Sequence, residues 1–147
     1  MDERVKRLKT PEQCEIFARN AAARDRPDLA KEAKERAVQL RAEKHGAGSD
    51  VEKEALAAVY AYEEVLSAKN GKRTRASRTW PMIERHGIIN AVERAVNRPT
   101  ETQGFTSLAE MGLSDYAFEA VILRHQEHFS DEAIEISRRR MDEWNDT

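Results

Sequence analysis

The chain holds one cysteine, four prolines and six glycines, and only 6% of its residues are aromatic. The single thiol, Cys14, excludes an internal disulfide and any cysteine-cluster zinc site. It falls on the apolar side of a predicted helix, where a small buried hydrophobe is expected. No run of 18 apolar residues occurs, so no membrane-crossing helix is expected. The opening MDERVKRLK has no apolar signal core, and with the low mean hydropathy a soluble, cytoplasmic protein is expected. Nothing alternates with period two over a strand length, which argues against β-structure. The phosphate and nucleophile motifs GxxxxGK(S/T), GxGxxG and GxSxG are missing. The acids are scattered over helical faces, with neither the carboxylate cluster nor the HNH-type histidine set that nucleases use. No catalytic residue, cofactor or metal is therefore assigned.

Charge, by contrast, is plentiful and sorted. Charged residues make up 35% of a chain whose net charge is only −2. Residues 69–98, KNGKRTRASRTWPMIERHGIINAVERAVNR, carry eight Lys or Arg against two acids, a net +6. Residues 49–68 before them sum to −4, and residues 99–147 after them to −7. Residues 1–48 sum to +3. A basic island in a slightly acidic protein is charge sorted toward a partner or toward the acidic flanks.

Helical periodicity runs through the whole length. Thr10-Pro11-Glu12-Gln13 reads as a capped start, with Thr10 as N-cap, Pro11 at the first position and Gln13 closing a capping box. Cys14, Phe17, Ala18, Ala21 and Ala22 follow at helical spacing, predicting a helix over 11–24. Asp25 to Asp28 is a tight connection, and Leu29, Ala33, Ala37 and Leu40 mark the next helix, ended by Gly46 and Gly48. Two Ala-rich helices with a short loop predict an antiparallel hairpin, packed on the long central helix that follows. Ser49 to Glu52 is a second capping box, opening that helix over 50–69, with Val51, Ala55, Leu56, Ala58, Val59, Tyr62, Val65 and Leu66 inward. Ser77 is the expected N-cap of a short helix that places Pro81 at its fourth position, stops at Gly87 and is followed by another to about 97. Two short helices joined by one glycine have the look of a helix-turn-helix. PTETQG, 99–104, is the one candidate boundary in an otherwise single domain, dividing 1–98 from 105–147. Thr106, Ser114 and Ser130 are expected to cap the last helices. The fold class is all-α, with about seven or eight helices.

The basic island supplies the candidate site. Lys and Arg neutralise phosphates and release counterions, and Arg forks onto phosphate or guanine. Lys72, Arg73, Arg75 and Arg78 are expected to grip a polynucleotide, with Ser77 and Thr79 assisting and Arg85 and Arg94 at the periphery. Cations beside a helix N-terminus oppose its dipole, and a phosphate there would relieve the strain. Trp80, beside Met82 and Ile83, is expected in the core, with base stacking as the alternative. Arg138, Arg139 and Arg140 read as complementing a helix C-terminus, or as a second contact. His125, Glu127 and His128 are the only hint of metal or acid–base chemistry; HExxH spacing is absent, and a structural role is expected.

The segments TPEQCEIFARNAAARDRPDLAKEAKERAVQLRAEKHG, AYEEVLSAKNGKRTRASRTWPMIERHGIINAVERAVNR and AEMGLSDYAFEAVILRH together resemble an uncharacterised bacterial helical module that occurs alone or beside HNH- or GIY-YIG-type restriction nucleases. The resemblance covers nearly the whole chain. It implies a DNA-recognition or accessory part, and no catalytic residue carries over. The expectation is thus a non-enzymatic module whose partner is nucleic acid, DNA before RNA. The rival is a protein-interaction adaptor docking a protein partner or a second copy through hairpin 11–45 and the acidic C-terminal helices.

Overall fold

The computed structural model describes residues 1–45, 48–98 and 102–145. Among these the chain is all-α, with nine α-helices, two 3₁₀ turns and no strand. No helix among the described residues is long and apolar enough to cross a membrane. Contacts divide the chain into two compact units, Met1–Ala47 and Gly48–Thr147. The 99–104 boundary considered from the sequence lies within the second.

The first unit holds α1 (Glu3–Lys6), α2 (Pro11–Ala23) and α3 (Pro27–His45). Residues 1–9 read as a charged lead, yet they form a helical turn anchored by the fully buried Val5. Thr10 caps α2 as expected, its Oγ1 accepting the Gln13 N–H at 3.1 Å. The return bond of the capping box goes one residue further out, from Lys9 N–H to Gln13 Oε1 at 2.9 Å. Asp25 adopts φ 59° at the end of α2, and Arg26 N–H then donates to the Ala21 carbonyl at 2.8 Å. That left-handed residue turns the chain straight into α3. Small side chains (Ala18, Ala21, Ala30, Ala33) with Leu29 let the two helices pack closely. Arg41 near the end of α3 pairs with Glu15 near the start of α2, as an antiparallel hairpin requires. Cys14 is buried within this unit, and burial pushes its thiol pKa up. The expected stop at Gly46 lies outside the described residues.

The second unit is built around α4 (Asp50–Asn70). Ser49 Oγ accepts the Glu52 N–H at 3.3 Å and donates to Glu52 Oε1 at 3.0 Å. Gly71 ends α4 at φ 68°, the left-handed conformation that glycine adopts without Cβ cost. Val51, Ala55 and Ala58 of α4 form a core with Val92 and Val96 of α6 (Ile88–Asn97), Val121 and Ile122 of α8 (Phe118–Arg124) and Ala133 of α9 (Asp131–Asn145). α5 (Thr79–His86) joins α6 through Gly87 alone, at φ 81° and ψ 159°.

Two boundaries differ from expectation. α7 (Thr102–Glu110) starts four residues before Thr106, taking in part of the stretch expected to be loop; residues 99–101 lie outside the described residues. Ser114 makes no cap and sits in a 3₁₀ turn with Asp115 and Tyr116. Ala117 is extended, at ψ 150°, so α8 restarts only at Phe118. Ser130 does cap α9, accepting the Ala133 N–H at 3.2 Å.

Candidate functional site

The basic segment after α4 folds back along α4 itself. Ser67 Oγ accepts the Thr74 N–H at 2.9 Å and donates to the Thr74 carbonyl at 3.4 Å. Glu64 Oε1 takes Arg73 Nη1 at 2.9 Å. One step back, Glu63 Oε2 accepts the Ala76 N–H at 2.8 Å and Trp80 Nε1–H at 2.7 Å. Arg75 Nε lies 4.0 Å from the same oxygen. Tyr60 then packs on Trp80, ring centroids 5.3 Å apart. The pairing descends α4 from residue 67 to 60 while the segment rises from 74 to 80. Residues 73–80 are thus held on the second unit's own central helix.

This arrangement corrects the sequence reading at three points. Arg78, not Ser77, occupies the cap position of α5, and it makes no side-chain cap bond. Pro81 becomes the third helical residue, still within the first turn where no intrahelical donor is lost. The Thr79 and Trp80 N–H groups expected to face a phosphate both donate to the Ala76 carbonyl, at 3.1 and 3.2 Å. The anion the cations call for is already present as Glu63, a carboxylate only 4% exposed. Of the four expected gripping residues, Arg73 and Arg75 are engaged by Glu64 and Glu63. The Arg75 side chain nevertheless remains 74% exposed and lies over the Trp80 ring, 5.3 Å from its centroid. Trp80 is half-buried and tied to Glu63, short of the core burial expected from the sequence.

Four expected contacts are untouched by this pairing. Lys72, Arg78, Arg85 and Arg94 are exposed and have no ion-pair partner among the described residues. Arg85 and Arg94 gather near His86. Desolvation, then Arg94 and Arg85, push that imidazole below its ordinary 6.5.

Arg75, Ser77, Arg78 and Thr79 come together around a cavity of about 430 Å³ in the second unit. Arg98 joins them, with its guanidinium 3.8 Å from Met82 Sδ. The hydroxyls of Ser77 and Thr79 have no hydrogen-bond partner among the described residues. Apolar walls come from Tyr62 and Leu66 of α4, Phe105 and Leu108 of α7, and Phe118 of α8. Lys72, Arg73, Arg85 and Arg94 are not part of this lining.

Glu119 also lines the cavity, and its side chain is 5% exposed. Its Oε2 accepts from Arg140 Nη1 at 2.8 Å, while Arg140 Nη2 donates to the Arg98 carbonyl at 3.2 Å. Arg140 thus joins α9, α8 and the end of α6 in one clamp. It does not complement the C-terminus of its own helix, as the sequence suggested, because α9 continues to Asn145. Arg138 forms a surface pair with Glu135, 3.5 Å away.

The histidine segment is tied to α4 by one of its two histidines. His125 pairs with Glu54, as does Arg124 at 2.5 Å. Burial pushes the Glu54 carboxyl up, but hydrogen bonds from His125 and Arg124 outweigh it and hold the pKa below the ordinary 4.5. Among the described residues His128 pairs only with Glu127, 3.7 Å away. Among the described residues no group of three or more His, Cys, Asp or Glu is placed to hold a metal ion.

Sequence reasoning missed Glu63, Glu64, Glu119 and the pocket role of Arg98. For Glu63 a signal exists: it continues the row Val51, Ala55, Val59 at intervals of four. A carboxylate on an apolar row implies an internal partner. Fold and site together define an all-α protein with a cation-rimmed cavity. No protein-family model, curated protein or solved structure matches the chain.

Proposed function

We propose that this chain is a non-enzymatic nucleic-acid-binding module, with DNA as the preferred partner, acting through the basic segment and the helix-turn-helix-like pair α5–α6. One observation carries the reading: Lys72, Arg78, Arg85 and Arg94 stand exposed without an ion-pair partner among the described residues. The internal acids take up Arg73 and Arg75 and leave these four. Unpaired cations on neighbouring elements repel one another, and a polyanion relieves that repulsion. The family resemblance supports DNA over RNA and an accessory part in a restriction or defence-type system.

The test is fluorescence anisotropy with random duplex at about 50 and 200 mM salt, where four phosphate contacts correspond to roughly a hundredfold loss of affinity. Lys72→Ala with Arg78→Ala is expected to flatten the salt dependence by about two contacts and to leave the melting temperature unchanged, since both side chains are exposed. Absence of binding at the lower salt, or identical salt dependence in the double variant, would overturn the reading.

A further inference from the structure

The cavity beneath the basic segment is more than a basic surface needs. Phosphate contacts alone require exposed cations and no concavity. Here about 430 Å³ opens between apolar and aromatic walls, within the size range of small-ligand pockets. Its chemistry is divided. Tyr62, Phe105 and Phe118 offer ring surface, and Met82 a polarizable thioether. Arg75, Arg78 and Arg98 place positive charge in the lining, beside the uncommitted hydroxyls of Ser77 and Thr79. Glu119, paired with Arg140, is the one acid in the lining among the described residues. A planar ring carrying a phosphate matches the ring surfaces and the cations together.

We propose that the cavity receives one unstacked nucleobase, with its phosphate at Arg75, Arg78 and Arg98. This rests on the nucleic-acid reading where the base belongs to a strand; a free mononucleotide presents the same chemistry. A base inside a duplex stack cannot enter a concave site, so single-stranded or locally opened nucleic acid is the form taken up.

The full-length protein is titrated with three probes: a labelled single strand, an abasic strand of equal length and charge, and a free purine mononucleotide. The base-bearing strand is expected to bind about tenfold more tightly than the abasic one, the size of one base–aromatic stack. Met82→Trp, which fills the cavity from a half-buried position, is expected to abolish that difference while keeping salt-dependent binding. The mononucleotide is expected to displace the base-bearing strand down to the abasic affinity, a readout on the unaltered protein that holds even if the variant misfolds. Equal binding of base-bearing and abasic strands, with no displacement by mononucleotide, overturns the pocket and leaves the nucleic-acid reading intact. Binding of mononucleotide with no binding of either strand supports the pocket as a free-nucleotide site and overturns its use on a strand, while the duplex titration separately decides the nucleic-acid reading. Failure of all three probes to bind overturns the pocket, and the nucleic-acid reading then stands or falls on the duplex titration.

Discussion

Glu63 is the residue on which the candidate site turns. It is 4% exposed, and one of its oxygens accepts a backbone N–H and an indole N–H. Desolvating a carboxylate is costly unless it is hydrogen-bonded and faced by positive charge. The Arg75 guanidinium, long in its approach at 4.0 Å, supplies that charge while remaining available outside. Glu63→Gln keeps the shape and removes the charge. It is expected to cost about 1–3 kcal/mol, the range for weakening hydrogen bonds in a buried position. Trp80 emission should shift to the red as its Nε1 partner weakens. An unchanged melting temperature and an unchanged emission maximum would show that Glu63 does not hold the segment.

At the scale of elements, α4 organises the second unit by offering different partners along its length. Its Glu63 and Glu64 fix the basic segment, and its Glu54 takes Arg124 and His125 from the end of α8. The Glu54 clamp has a pH signature. The folded-state pKa is held below 4.5, so the carboxylate binds fewer protons folded than unfolded. Its contribution to stability is complete above pH 4.5 and is lost as pH falls through the folded value. Glu54→Gln is expected to lower stability at neutral pH by roughly 1 kcal/mol, as for a well-formed pair near the surface. The gap between wild type and variant should close below pH 4.5, as followed by thermal melts across the acid range. A gap that stayed constant down to pH 3 would remove charge as its cause. The helix caps are a different kind of element-level fact. Thr10, Ser49 and Ser130 were legible in the sequence because a cap bond spans three residues. Ser77 and Ser114 carried the same signal and failed. At Ser77 the Ala76 carbonyl had taken the first N–H groups, and at Ser114 the extended Ala117 broke the run.

At the scale of the whole molecule, two units each carry their own core. The second is locked by Arg140, whose guanidinium spans Glu119 and the Arg98 carbonyl. Both ion-pair side chains are at least nine-tenths buried. Arg140→Ala strands the Glu119 carboxylate and is expected to cost about 3–5 kcal/mol. Arg140→Met with Glu119→Leu removes both charges and should regain most of that loss in chemical denaturation. A double variant as unstable as the single one would place the loss in packing rather than in the stranded charge.

The sequence by itself determined the helices other than α1, most of their boundaries and the net +6 of residues 69–98, because these follow from spacings of three and four residues and from simple counting. The tertiary structure alone decided which of those charges are spent inside the protein. Glu63 meets Ala76, Glu54 meets His125 and Glu119 meets Arg140 across 13, 71 and 21 positions. A local pattern carries no information about such partners. Only the folded backbone brings a low-dielectric interior and an opposite charge to the same place, and that coincidence separates a buried structural cation from one left facing solvent.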